Sequence, residues 1–363
     1  MYGIFSNFAG SITKLQRMKK TNIYFLFIVA AILIAGCAKN VAEGPNVANQ
    51  RYFEAWMKIN EPDAQKAGRG IYVLSETPGT RSEVSADGFA IVNYRSRSLD
   101  GTINAYTDKE TAKQLGTYDT TTYYGKTVWT TYAETMHAGI LDAIIGMKVG
   151  GKKEVVIPSW LMSYSDFSTE AQYLAHSSTS YSDAIYEIEV EDFTTDIIRW
   201  QIGEISRYFD ANQDIFNSKY ITDTIKGHTG CYYQSLSPGI DTSYHFPIDT
   251  SIYINYTGKL LNGLVFDTTI EKVAKDNGLY NPSRSYEPVK IYMAEEYTDI
   301  SMGDDESSVI GGFALTLSQM HPMEKGIGVF TSDYGYGYSG SGASIPPYAP
   351  LVFEIEIVAA PEE

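Results

Sequence analysis

Cysteine is nearly absent. The 363-residue chain holds two, Cys37 and Cys231, which excludes a disulfide framework and a cysteine-rich zinc site. Histidine is scarce too: the five present (His137, His176, His228, His245, His321) are scattered, with no pair at the i, i+4 spacing of a helical metal site. Positive charge falls well short of negative, 28 Lys and Arg against 44 Asp and Glu, and the net charge of −16 argues against sequence-independent nucleic-acid binding. The G-x-x-x-x-G-K-[ST] phosphate loop is missing, and the serines lack nucleophile-elbow spacing. Gly335-Tyr336-Gly337-Tyr338-Ser339-Gly340 matches G-x-G-x-x-G, but a Pro-Pro pair follows where a dinucleotide fold needs a helix. Metal, nucleotide and nucleophilic chemistry therefore have no footing, and no cofactor is expected.

Long apolar runs are also rare. One stands out, Ile23 to Ala35, preceded by Met18-Lys19-Lys20 and ending Leu33-Ile34-Ala35-Gly36-Cys37. It is short for a membrane span and right for the apolar part of an export signal. Small residues just before a cysteine resemble the lipobox of bacterial lipoproteins. The resemblance implies a signal peptide over residues 1–36, lipidation of Cys37, and a chain anchored to a bacterial envelope membrane on its periplasmic or extracellular face. Cys231, inside the strand-like Cys231-Tyr232-Tyr233, reads as a small buried hydrophobe.

What the chain has in quantity is core-forming and aromatic residue: 44% hydrophobic, 13% aromatic, 29 Tyr, with 20% charged, enough for two domains. It also repeats itself. Gly70-Ile71-Tyr72 leads to Pro78-Gly79, and Gly230-Cys231-Tyr232 leads to Pro238-Gly239 at the same spacing. Tyr94 is followed by Leu99-Asp100-Gly101, and Tyr256 by Leu261-Asn262-Gly263, each a strand running into a turn. Ile140, Ile144 and Met147 share one helical face, as do Phe313, Leu317 and Met320. Each unit closes on an apolar–acidic alternation, Tyr186 to Val190 and Phe353 to Ile357, the period-two pattern of a sheet with one wet face. Helices are expected ahead of each unit, around Phe53, Trp56 and Met57, and around Ile198, Ile202, Ile205 and Phe209. The expected class is α+β: two domains, each an antiparallel sheet wrapped over a short helix and preceded by a linker helix. The expected boundaries are a tether and helix over 37–69, a first domain over 70–193, a linker helix over 194–224 and a second domain over 225–363.

In the second unit, Tyr256-Thr257-Gly258-Lys259-Leu260-Leu261-Asn262-Gly263 with Phe266-Asp267-Thr268-Thr269, then Val309-Ile310-Gly311-Gly312-Phe313, then Asp333-Tyr334-Gly335-Tyr336-Gly337 and Ile345-Pro346-Pro347 through Phe353-Glu354, stand in order. This series resembles the FKBP family of peptidyl-prolyl cis-trans isomerases, over roughly residues 225 to 358. The resemblance implies a pocket walled by Tyr256, Phe266, Val289, Val309, Ile310, Ile345, Tyr336 and Phe353, with Phe313 as its floor. It gives the Ile310 N–H and the Tyr336 hydroxyl as donors to a substrate carbonyl and Asp267 as the polar edge. Phe313 departs from the family's usual tryptophan, Val289 from a common aromatic, and an acidic insertion separates Met293 from Val309.

The first unit keeps Tyr94 and the Leu99-Asp100-Gly101 turn, but Asn104-Ala105 replaces Phe-Asp, His137 stands at the place of Ile310, and Ile140 at that of Phe313. It reads as a degenerate copy. The resemblance implies proline-containing unfolded or extended polypeptides as partners and assistance to the folding of exported proteins. The alternative is a non-catalytic peptide-binding or holdase module that grips extended chains through both clefts.

Overall fold

The computed structural model describes residues 44–163, 167–177, 181–216, 222–225, 227–241, 243, 246–247 and 250–361. The expected signal peptide and Cys37 lie outside them. Contacts divide the chain into two compact units. In one, helix α1 (Pro45–Asn60) is tied to the segment that holds a later short helix, the Asn46 amide donating to Tyr173 O at 2.7 Å and His176 O at 3.3 Å.

The larger unit carries two sheets. The first is built from β1 (Gln65–Ala67), β2 (Ile71–Thr77), β3 (Phe89–Arg97), β4 (Ile103–Tyr106), β5 (Thr127–Thr130), β6 (Lys152–Ile157) and β7 (Ala184–Thr194). Helix α2 (Lys109–Leu115) follows β4, α3 (Ala138–Ile144) lies between β5 and β6, and α4 (Glu170–Ala175) precedes β7. After α5 (Ile197–Ala211), the second sheet contains β8 (Thr222–Ile225), β9 (His228–Ser237), β10 (Ser251–Leu260), β11 (Val265–Thr268), β12 (Val289–Tyr292), β13 (Ser301–Met302), β14 (Ser307–Ser308), β15 (Lys325–Phe330) and β16 (Leu351–Val358). Its helices are α6 (Glu271–Asp276), after β11, and α7 (Gly311–Leu317), between β14 and β15.

The strand orders are the same. The first sheet runs β2-β6-β7-β3, with β4 and β5 both pairing with β3; the second runs β9-β15-β16-β10, with β11 and β12 both pairing with β10. All named pairings are antiparallel. The repeat reaches single hydrogen bonds. The Tyr94 N–H donates to Thr107 Oγ1 at 2.9 Å, as the Tyr256 N–H does to Thr269 Oγ1 at 2.9 Å. The turns agree as well: Gly101 and Gly263 sit at φ +90° and +87°, where a side chain is strained, and each N–H closes the turn at 2.9 Å onto a carbonyl three residues back. The structure thus contains two domains of one topology, each an antiparallel sheet over a short helix, as the sequence reading expects.

Alternation sets the inner face of the second sheet. Ile252, Ile254, Tyr256 and Leu260 of β10 and Leu351, Phe353, Ile355 and Ile357 of β16 are all buried, while Glu354 and Glu356 face outward and Glu354 pairs with Lys259 at 2.6 Å. Both expected helical trios are buried beneath their sheets. Each fully buried Ile or Phe contributes roughly 1.5–3 kcal/mol. Cys231 is buried as expected, and burial, together with the nearby Asp333 charge, pushes its thiol up to about 12.

Two features differ from the sequence reading. The acidic insertion before Val309 is a hairpin, β13 and β14, that extends the sheet beyond β12. The buried stripe of α5 is Ile197, Gln201 and Ile205, turned one residue from Ile198 and Ile202. The cause is Gln201, whose amide donates to Ser332 Oγ at 2.9 Å and accepts from Ser332 N at 2.7 Å. That helix is more than a tether: Ile205 packs with Phe216, Ile327, Val329 and Val352 on the outer face of the second sheet.

Ile205→Ala should therefore lower unfolding stability by about 2–4 kcal/mol, as for other fully buried aliphatic truncations. Urea unfolding checks it; a loss under about 0.5 kcal/mol would mean that the helix does not brace the sheet.

Candidate functional site

The site lies where β10, β11, β16 and α7 meet. Register does the first work. Gly258 of β10 stands opposite Phe353 and Tyr256 opposite Ile355, so Tyr256 and Phe353 share the inner face. A Cβ on Gly258 would come within 2.6 Å of the Phe266 ring and 2.9 Å of the Phe353 ring, so only glycine leaves them room. The β10–β11 register shifts beside Gly258, a bulge that re-aims Phe266.

Below these strands, α7 begins at Gly311 with Ile310 as its N-cap residue, and its first turn delivers Phe313. The Phe313 ring meets Tyr256 edge-on at 5.5 Å and Phe353 edge-on at 5.1 Å. Phe353 is further held by Phe266 at 5.6 Å and by Phe330, stacked at 5.8 Å. Each such ring pair adds about 0.5–1.5 kcal/mol beyond area burial.

Tyr256, Phe313, Ile345 and Phe353 are buried in one cluster, and Phe266, Val289, Val309 and Ile310 pack against it, half-buried. Phe313 is the deepest at 2% exposed, and Tyr336 stands at the rim at 38%. The Ile310 N–H and the Tyr336 hydroxyl have no hydrogen-bond partner among the described residues. Asp267 supplies the polar edge: its carboxylate accepts the Tyr256 hydroxyl at 2.5 Å and the Arg284 guanidinium at 2.5 Å. Burial raises the Tyr256 phenol above the ordinary tyrosine value, and the Asp267 charge raises it further. Tyr336 is raised by burial and by the same carboxylate.

Arg284 is a site residue that the sequence reading passed over. It is the one basic residue between Lys275 and Lys290, which was the available signal. The hairpin insertion contributes Tyr297, whose ring would lie 3.4 Å from a Cβ on Gly311 and meets His228 edge-on at 5.0 Å. The start of α7 is thus covered on one side by an aromatic from the insertion.

At the matching place in the first domain, the chemistry differs. Tyr94 packs against Trp129 at 4.7 Å and Tyr186 at 6.2 Å, and Tyr186 sits opposite Ser96 as Phe353 sits opposite Gly258. Asn104 turns to Ser98 Oγ at 2.9 Å, and His137, the N-cap residue of α3, bonds the Met162 carbonyl through Nδ1. Burial alone raises the Tyr94 phenol. Two phenol rings and an indole, Tyr94, Tyr186 and Trp129, all half-buried, stand at this domain's equivalent of the site.

The family profile of FKBP-type peptidyl-prolyl cis-trans isomerases matches residues 247–358, which hold β10 to β16 and α7, the elements that carry this site. FK506-binding protein 1 of Yarrowia lipolytica is 32% identical over 129 residues, 36% of this chain and 96% of that protein. The macrophage infectivity potentiator of Trypanosoma cruzi is 26% identical over 138 residues, 38% of this chain and 56% of that protein. A probable FKBP-type peptidyl-prolyl cis-trans isomerase of Haemophilus influenzae is 30% identical over 108 residues, 30% of this chain and 34% of that protein. The chain thus spans about half and about a third of the last two relatives.

Because the Tyr256 phenol ionises later in the folded chain than in the unfolded one, its contribution to stability is complete below the ordinary tyrosine value of about 10 and is lost as pH rises from there through the folded value. Asp267→Asn removes the carboxylate and leaves burial opposed by the Arg284 charge, so the Tyr256 titration should move down toward the ordinary value. A pH series on tyrosine-labelled protein by carbon NMR reads this, and an unchanged Tyr256 curve in the variant would contradict the coupling.

Proposed function

The chain belongs to the FKBP-type peptidyl-prolyl cis-trans isomerase family, and from that premise we propose that its second domain speeds rotation about X-Pro bonds in extended segments of exported proteins. The observation that carries this reading is the ring cluster of Tyr256, Phe266, Phe313 and Phe353, with the Asp267–Tyr256 hydrogen bond at its edge, inside the segment that matches the family. Rotation about the peptide bond meets a barrier of about 18–20 kcal/mol and relaxes X-Pro bonds over tens of seconds or longer. At the top of the barrier the amide is twisted, its resonance is lost, and the C–N unit is less polar than the planar form. An apolar cleft therefore binds the twisted form better than water does, and that difference in binding is the catalysis.

The chain's residues divide this work. Phe313, Phe353 and Tyr256 take the proline ring, and Phe266, Val289, Val309 and Ile345 close the walls. The Ile310 N–H and the Tyr336 hydroxyl, both unengaged among the described residues, donate to substrate carbonyls. Each such bond contributes about 0.5–1.5 kcal/mol net. Asp267, fixed by Tyr256 and Arg284, keeps the cleft edge polar beside the turning amide.

A proline-limited refolding assay and an X-Pro peptide assay on the full chain test the proposal. Phe313→Ala should lower kcat/KM at least tenfold, about 1.4 kcal/mol, and Asp267→Ala several-fold. No acceleration by the wild-type chain, or unchanged rates in both variants, would overturn it. Client aggregation suppressed without any acceleration would instead favour a holdase.

The Leu33-Ile34-Ala35-Gly36-Cys37 run supports a second part of the proposal: the chain is cleaved before Cys37, lipidated there and held at a bacterial envelope membrane, where exported chains fold. Mass spectrometry of the terminal peptide should find an acylated cysteine at position 37. Cys37→Ala should release the protein from the membrane fraction, and retention without a lipid would contradict it.

A further inference from the structure

The loop between β15 and β16 carries two residues of the proposed cleft, Tyr336 and Ile345. It is gripped from outside by the first domain. The Tyr123 N–H, on the segment between α2 and β5, donates to the Ala343 carbonyl at 2.9 Å. Five residues on, Tyr348 meets Phe89 of β3 edge-on at 5.4 Å. These two holds bracket Ile345, which is 4% exposed. Tyr348 also sits at φ +59°, a left-handed conformation that a tyrosine keeps only where its surroundings enforce it.

Behind Pro346, Pro347 and Pro350, the two domains do not pack solidly. They leave a cavity of about 470 Å³ with Ile91, Val128 and Trp200 on its far wall. The loop also has a frame of its own, Ser341 and Ile345 bonded both ways at 2.8 and 3.1 Å, Tyr348 N–H donating to Gly337 O at 2.9 Å and Ile345 seated in the second domain's core; on the side facing the groove, the first domain adds the two outside contacts.

Tyr123 does more than bond one carbonyl. Its ring packs against the buried cluster that includes Tyr256, Phe313 and Phe353. Its hydroxyl donates to Lys126 O at 3.0 Å, which fixes the ring within its own loop. The same segment reaches the opposite bank of the cleft: a Cβ on Gly278 would meet Thr120 Oγ1 at 2.7 Å, and Gly278 opens the stretch that brings Arg284 to Asp267. The segment is itself braced, with Thr121 N and Oγ1 both on Asp119 Oδ1 at 2.7 Å and Tyr118 stacked on Tyr124 at 5.6 Å.

We propose that the degenerate domain completes the cleft of its neighbour: residues 117–126, through Tyr123, hold the 336–349 segment in the shape that presents Tyr336 and Ile345 to a prolyl substrate, which makes Tyr123 a positioning residue supplied by another domain. The catalytic half of this statement rests on the isomerase reading above; the conformational half does not.

The test uses the full chain and two independent readouts, hydrogen exchange and peptide kinetics. Tyr123→Ala should speed amide exchange across 336–349 at least fivefold while leaving strands 228–237 and 325–330 within twofold of wild type. It should raise KM for X-Pro peptides about five- to tenfold with kcat within twofold, because the lost order serves ground state and transition state alike. Tyr123→Phe keeps the ring and the backbone bond but loses the hydroxyl's hold on Lys126 O, and should fall nearer to wild type than to Tyr123→Ala in both readouts. Phe89→Leu, which removes the ring contact with Tyr348 together with one to Tyr132 inside the first domain, should raise exchange of the loop to a lesser degree, with Tyr132→Leu as its control leaving the loop within twofold of wild type; the pair decides the matter should Tyr123→Ala unfold the first domain. Exchange over 336–349 within twofold of wild type in the folded variants would overturn the proposal. If no form of the chain accelerates isomerisation, the isomerase reading fails, and the exchange data still decide the conformational half.

Discussion

The pairing of β10 with β16 governs the second domain. Strand side chains alternate faces, so a one-residue slip of β10 along β16 would turn Tyr256 away from Phe353 and Phe313 and bring Thr257 inward in its place. Gly258 makes the observed register tolerable, because the rings of Phe266 and Phe353 occupy the volume that any side chain there would need. Outward-facing Glu354 and its Lys259 partner keep the wet face consistent with the same alignment. Once that pair is set, α7 has one apolar surface to lie on, and Phe313 is carried beneath the two rings.

The duplication separates what holds a fold from what performs chemistry. Both copies keep the threonine that satisfies the tyrosine backbone, Thr107 for Tyr94 and Thr269 for Tyr256, and both keep the left-handed glycine at the next turn. Those features close the strand ends and are indifferent to any substrate. The Phe266–Asp267 pair is different. Asp267 is a half-buried carboxylate that Tyr256 and Arg284 must satisfy. Where Asn104 and Ala105 stand instead, the requirement lapses, and Trp129 packs against Tyr94. The copy without that carboxylate sets an indole against two phenol rings instead.

Much of this was legible in the sequence because it is local or periodic. The helical trios, the alternating closing strands and the glycine turns all express spacings within about ten residues; the strands and turns stand as read, and the trios are buried as read although each helix ends before its third member, Met147 and Met320 lying in the turn beyond. The ring cluster was legible through a resemblance spread over several motifs. What escaped was long-range and polar. Arg284 reaches Asp267 across 17 residues that hold the whole of α6, and Gln201 turned the α5 stripe through two bonds to Ser332, 131 residues away. No pattern in α5 alone distinguishes Ile197 from Ile198 as the buried position. The hairpin in the acidic insertion escaped because its strands are two residues each, too short for alternation to register.

The contact between Tyr123 and Ala343 also orders events in time. A chain is made from its N-terminus, and at about 5–20 residues per second Ala343 emerges roughly 10–40 s after Tyr123. The first sheet is complete once β7 has been made, whereas the second waits for β16, its central partner, near the very end of synthesis. The first copy is therefore complete as a sequence well before the last strand is made, so the surface around Tyr123 has the longer time to form before the loop bearing Ile345 meets it.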